Sequence, residues 1–75
     1  MEFRYALLRM LNDGELEKIY NHASFFEKRK VKHDIEMIKA YAHVEGTTIP
    51  LLNELKSARV LKSAISYMMM GEQYV

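Results

Sequence analysis

The groups able to do chemistry in this 75-residue chain are three histidines, four serines and ten carboxylates, with no cysteine among them. His22, His33 and His43 are eleven and ten residues apart. On one continuous helix they point roughly the same way, but at 1.5 Å per residue they stand about 15 Å from one another, too far to share an ion. The i, i+3 or i, i+4 spacing that sets two ligands on one helical face is missing, as is His-Glu-x-x-His. Solvated or partly buried histidines, and no metal, follow from that spacing. Ser24, Ser57, Ser63 and Ser66 fall mid-helix, without a Gly-x-Ser-x-Gly elbow. His33 and Asp34 are adjacent, and adjacent helical residues do not face each other. Glu15/Glu17 and Asp34/Glu36 sit at i, i+2, which turns paired carboxylates apart. The three glycines are isolated, so no phosphate-cradling loop exists. The expectation is a protein that is not an enzyme, with no cofactor and no evident small-molecule substrate.

The elements that must position these groups read as helices. The chain is 49% apolar with a net charge of +1, a composition that excludes disorder. Its length fits one helical domain over residues 1–75. So short a chain buries only about 60% of the surface its unfolded form exposes, and without cysteine neither a disulfide nor a cysteine-bound zinc is there to compensate. Phe3, Ala6, Leu7, Met10 and Leu11 follow i, i+3, i+4, i+7 spacing and predict a helix over about 2–11, which Asn12 and Gly14 can end. Asp13 can cap the next helix, and Glu15 and Glu17 stand in its first turn, where the helix dipole favours negative charge.

Leu16, Ile19, Tyr20, Ala23 and Phe26 form one stripe. Val31, Ile35, Ile38 and Ala42 form another, rotated from the first, with Tyr41 beside it. One long helix over 15–44 is permitted. Two helices, 15–30 and 31–44, with a break near 29–34 where Asp34 can serve as a cap, suit the offset seam better. The last helix is expected over 48–70, with Thr48 as N-cap, Pro50 in the first turn and Gly71 as the stop. The fold class is therefore all-α, a compact bundle of three or four helices.

That last helix is apolar on two sides. Leu51, Leu55, Ala58, Leu61, Ile65, Met68 and Met69 make one stripe, and Ile49, Val60, Ala64 and Tyr67 make a second on nearly the opposite side. A helix of this kind is either central in its own fold or shared with another chain. Three short neighbours supply little surface to cover both sides, so a homodimer is expected, with Val60, Ala64 and Tyr67 as the contact strip.

Charge is balanced overall but not locally. Lys28, Arg29, Lys30 and Lys32 put four of eleven basic residues into five positions, with His33 next. They read as a solvated helix surface or as a contact for phosphate or an acidic protein. Phe25 lies opposite its helix's stripe, and beside this run it can anchor an interface. The methionines at 68, 69 and 70 suit core filling or an adaptable binding surface. Apolar runs never exceed four residues and Glu2 and Arg4 precede them, so neither an export signal nor a membrane span is expected, and the assignment is cytoplasmic.

Ala42-His43-Val44-Glu45-Gly46-Thr47-Thr48, followed by Leu52 and Leu55, resembles the helix-turn-helix of small phage-type repressors. That family has a small residue, Gly four positions later, and apolar residues six and nine positions after the Gly. The resemblance covers about 20 of the 75 residues and implies DNA binding through 38–57, with Thr47, Thr48, Asn53, Lys56 and Ser57 as contacts. Glu45 replaces the apolar residue the family keeps at the turn, and the reading face offers Lys56 as its single cation beside Glu54.

The favoured reading is a small regulatory or adaptor protein that acts by helix-mediated protein–protein interaction as an inhibitor or modulator. Its interaction residues are Val60, Ala64, Tyr67, Phe25, Lys28, Arg29 and Lys32. Its partners are a second copy and another protein, with nucleic acid as the alternative and no membrane.

Overall fold

The computed structural model describes residues 2–73, with side chains described through Met70. Among them are five helices and no strand: α1 (Phe3–Asn12), α2 (Glu15–His22), α3 (Phe25–Tyr41), α4 (Thr48–Glu54) and α5 (Ala58–Gln73). The radius of gyration is 11.6 Å, close to the roughly 11 Å expected of a globule this long. Helix α1 packs against each of the other four, so its core face organises the molecule. Phe3, Ala6, Leu7 and Met10 are buried there with Leu16, Val31, Ile38, Ala42, Leu51, Leu55, Val60 and Ala64.

The first corner forms where the sequence places it. Gly14 has φ +81°, a left-handed conformation that costs glycine little. Asp13 is not the cap expected there: Gly14 holds the N-cap position, and the Asp13 carboxylate instead accepts the Tyr67 hydroxyl at 3.3 Å.

The long segment breaks at Ala23–Ser24, not near 29–34. Ser24 Oγ accepts the Glu27 N–H at 3.3 Å and starts α3. Phe25 and Phe26 fall in the first turn of the new helix. Phe26, assigned by spacing to the core stripe, is therefore 80% exposed. Asp34 lies inside α3 and does not cap it.

Asp34 caps a different helix. It is completely buried, and its two oxygens accept the backbone N–H groups of Lys56 at 2.8 Å and Ser57 at 2.7 Å. Those amides open α5, so a negative charge sits at the positive end of that helix dipole. Ser57 Oγ also accepts the Val60 N–H, at 3.4 Å. The helix expected over 48–70 is thus two, separated at Leu55–Ser57, and Ser57 is a buried N-cap rather than a mid-helix residue. Helix α5 continues through Gly71 to Gln73.

The same device recurs with the opposite sign. Arg4, 5% exposed, donates to the carbonyl of Ala42 at 3.2 Å at the C-terminal end of α3. Its guanidinium lies 4.3 Å above the Tyr5 ring and 3.8 Å from the Glu2 carboxylate. Arg59 reaches the carbonyl of His22, the last residue of α2, at 3.5 Å. Cations thus meet carbonyl ends and an anion meets an amide end, as helix dipoles require. No helix among the described residues is long and apolar enough to cross a membrane.

Candidate interaction surfaces

Helix α5 is apolar on two sides, and the structure buries the side opposite to the one expected. Val60 and Ala64 are completely buried, and Tyr67 is half-buried against the same core. Val60 and Ala64 cannot form an exposed contact strip. The stripe turned to solvent contains Ala58, Ile65 and Met69, the last two 54% and 60% exposed. Leu61 and Met68 flank it, half-buried against the core. The break at Leu55–Ser57 explains the reversal. Leu51 of α4 and Leu55 just after it point inward, and an unbroken helix would carry Ala58, Leu61 and Ile65 in with them. Interrupting the helical phase turns Val60 and Ala64 inward instead.

A second exposed apolar feature stands at the α2–α3 corner. Phe25 and Phe26 are each 80% exposed, and their rings meet edge to face with centroids 5.8 Å apart. Arg29, Lys30 and Lys32 continue outward along α3. Lys28 turns back over the Tyr20 ring at 5.3 Å, and Lys30 pairs with Glu27 at 3.6 Å. Arg29 and Lys32 form no ion pair among the described residues. This corner couples two aromatic side chains to two cations free to meet an external charge.

The helix-turn-helix segment forms a corner with mixed agreement. Gly46 has φ +85°, Ala42 is fully buried, and Leu55 is 7% exposed, as the resemblance requires. Leu52, which the resemblance places inside, is 42% exposed. The reading helix α4 has only seven residues. Thr47 Oγ1 shares its one proton between the carbonyls of Tyr41 and Val44, 2.7 and 2.6 Å away, while Thr48 Oγ1 donates to Glu2. Ser57 is buried and cannot reach a duplex, which leaves the exposed Asn53 and Lys56 as contacts.

The histidines lie on separate elements. Among the described residues no three His, Asp or Glu side chains gather closely enough to hold a metal ion. His33 and Asp34, expected to face apart, do touch: His33 Nδ1 donates to Asp34 Oδ1 at 3.0 Å. That contact resembles the orienting half of a catalytic dyad. Both Asp34 oxygens are already committed to the α5 amides, and the nearby Ser57 hydroxyl serves as a cap. The pair therefore ties His33 to the start of α5.

Burial raises the Tyr67 pKa above its usual 10.0, and the carboxylates of Asp13 and Glu15 raise it further. The phenol stays protonated as donor to Asp13.

Comparison with known proteins returned no match: no family model fits the chain, and no curated protein or solved structure is significantly similar to it.

Proposed function

We propose that this chain is a small non-catalytic regulatory or adaptor protein that works by helix-mediated protein–protein contact. The observation that carries the reading is the solvent-facing stripe of α5, with Ile65 and Met69 more than half exposed. Apolar faces of this kind are self-complementary, and two copies pairing along α5 remove Ile65 and Met69 from water with Lys62 at the rim of the seam. The second copy is therefore the occupant of the α5 stripe. The Phe25–Phe26 corner, with Arg29 and Lys32 beside it, is left for an acidic partner protein that the dimer inhibits or modulates. Soluble, cytoplasmic action without cofactor belongs to the same reading. Solution mass by light scattering tests it: the parent chain is a dimer, and Ile65→Asp with Met69→Asp gives a folded monomer.

A second reading, DNA binding through 38–57, draws on the α3–turn–α4 corner and the left-handed Gly46. It requires duplex retardation at low salt that weakens steeply as salt rises and weakens further in Lys56→Ala.

A further inference from the structure

Helices α2 and α5 run antiparallel: Arg59 meets the His22 carbonyl at one end, and Tyr67 meets Asp13 at the other. Between them lies a cleft of about 400 Å³. Its walls are two facing stripes at i, i+3, i+4, i+7 spacing, Glu15, Lys18, Ile19 and His22 from α2 and Arg59, Lys62, Ser63 and Ser66 from α5. A groove between two packed helices is ordinarily closed by apolar side chains, and Ile19 is the single apolar residue on these walls. Lys18, Arg59 and Lys62 share the cleft, and none forms an ion pair among the described residues. Lys18, Arg59 and Lys62 give this cleft three cations against the one carboxylate of Glu15, a net positive lining that an anion seated among them neutralises.

We propose that the α2–α5 groove binds a phosphorylated small molecule of the sugar-phosphate or nucleoside-monophosphate type. The phosphate sits among Lys18, Arg59 and Lys62. Lysine and arginine both take phosphate by charge-assisted hydrogen bonds. From His22 to Glu15 the groove runs about 10 Å, seven residues at 1.5 Å each. Glu15 stands at its far end with Ser66, beyond which lie Asp13 and Tyr67. A carboxylate there rejects a long polyanion threading the groove and accepts a hydroxyl or amino group, while the Ser63 hydroxyl and the Ser66 oxygen, whose proton goes to the Lys62 carbonyl at 3.2 Å, face the ligand's body. This gradient from cationic to acidic selects a compact ligand with one phosphate end and one neutral, donor-bearing end. The groove adjoins the α5 apolar stripe along one edge, where Lys62 stands four residues after Ala58 and three before Ile65.

The test is a titration of the full ¹⁵N-labelled chain at fixed ionic strength with AMP, ribose 5-phosphate, adenosine and a single-stranded twelve-nucleotide DNA. Saturable shifts confined to 15–22 and 58–66 with AMP and ribose 5-phosphate are expected, with adenosine at least about tenfold weaker for want of the charge-assisted contacts. Lys62→Glu should weaken AMP about tenfold or more at unchanged helical circular dichroism. Arg59→Glu should do the same, and Lys62, whose side chain has no hydrogen-bond or ion-pair partner among the described residues, keeps the test valid if the Arg59 variant unfolds. Absence of saturation, adenosine matching AMP, or indifference to Lys62→Glu each overturns the proposal. An oligonucleotide binding more tightly than AMP also overturns it, because the groove would then serve a polyanion.

Discussion

Asp34 is the residue on which the division between α4 and α5 depends, and removing it should be costly. Its carboxylate is completely buried and accepts two backbone N–H groups at 2.8 and 2.7 Å, with His33 as a third donor. Each hydrogen bond to an ionised acceptor contributes about 1.5–3 kcal/mol. Asp34→Ala strands the buried Ser57 amide and removes a favourable charge from the start of α5, while His33, partly exposed, can turn to water. A loss of about 3–5 kcal/mol follows. A chain of this length has about 4–11 kcal/mol in total, so the variant sits near the edge of folding. At about 4–8 °C per kcal/mol, even the lower figure moves the midpoint down by roughly 12–24 °C. Asp34→Asn keeps one acceptor oxygen but turns an NH₂ toward an N–H donor, and should lose about 2–3 kcal/mol. Urea unfolding followed by circular dichroism measures the loss, and amide exchange at Lys56 and Ser57 locates it. An Asp34→Ala variant within about 1 kcal/mol of the parent, with those two amides equally protected, would refute the assignment of Asp34 as the cap of α5.

Arg4→Met should cost about 2 kcal/mol, because it leaves the Ala42 carbonyl without its donor while keeping much of the apolar stem; thermal unfolding reads it, and no change would show the contact to be idle. Val60→Asp places an uncompensated charge in the core and should unfold the chain. Ile65→Asp, on the opposite side of the same helix, should leave its circular dichroism intact, and equal effects from the two would contradict the observed facing of α5. Gly46→Ala should lose about 1–2 kcal/mol by forcing φ +85° on a residue with a Cβ. An added Cβ meets nothing within 4 Å, so the cost is conformational. In alkaline titration followed at 295 nm, Tyr67 should ionise above the ordinary tyrosine value of 10.0, and Asp13→Asn should bring it toward that value. The folded pKa is raised, so this phenol's contribution to stability is whole below pH 10 and falls as pH rises through the folded value.

Helix α1 was legible because five apolar positions and two stop residues agree on one short segment. The break at Ser24 was legible in principle: Ser24-Phe25-Phe26-Glu27 has the capping-box pattern, a signal that the apolar stripes obscured. The break at Leu55–Ser57 was not legible, because its cause is a carboxylate 22 residues away on another helix. Local propensity over 48–70 favours a continuous helix, and the Asp34 contact interrupts it together with Ser57 as a local cap. Everything downstream of that break inherits its phase. The sequence over 49–70 shows apolar residues on two sides, yet which side is buried depends on a contact that no local pattern contains. The α2–α5 groove is not legible for a related reason: Lys18 and Lys62 are ordinary surface residues until the fold brings their helices side by side.

The solvent-facing stripe of α5 is the feature from which the proposed function follows, and solution mass tests it most directly. Light scattering at micromolar concentration should give about twice the chain mass of 8.8 kDa for the parent, and a single chain mass with unchanged helicity for the Ile65→Asp, Met69→Asp variant. A parent that remains at 8.8 kDa throughout, or a double variant that stays dimeric, would contradict pairing through α5.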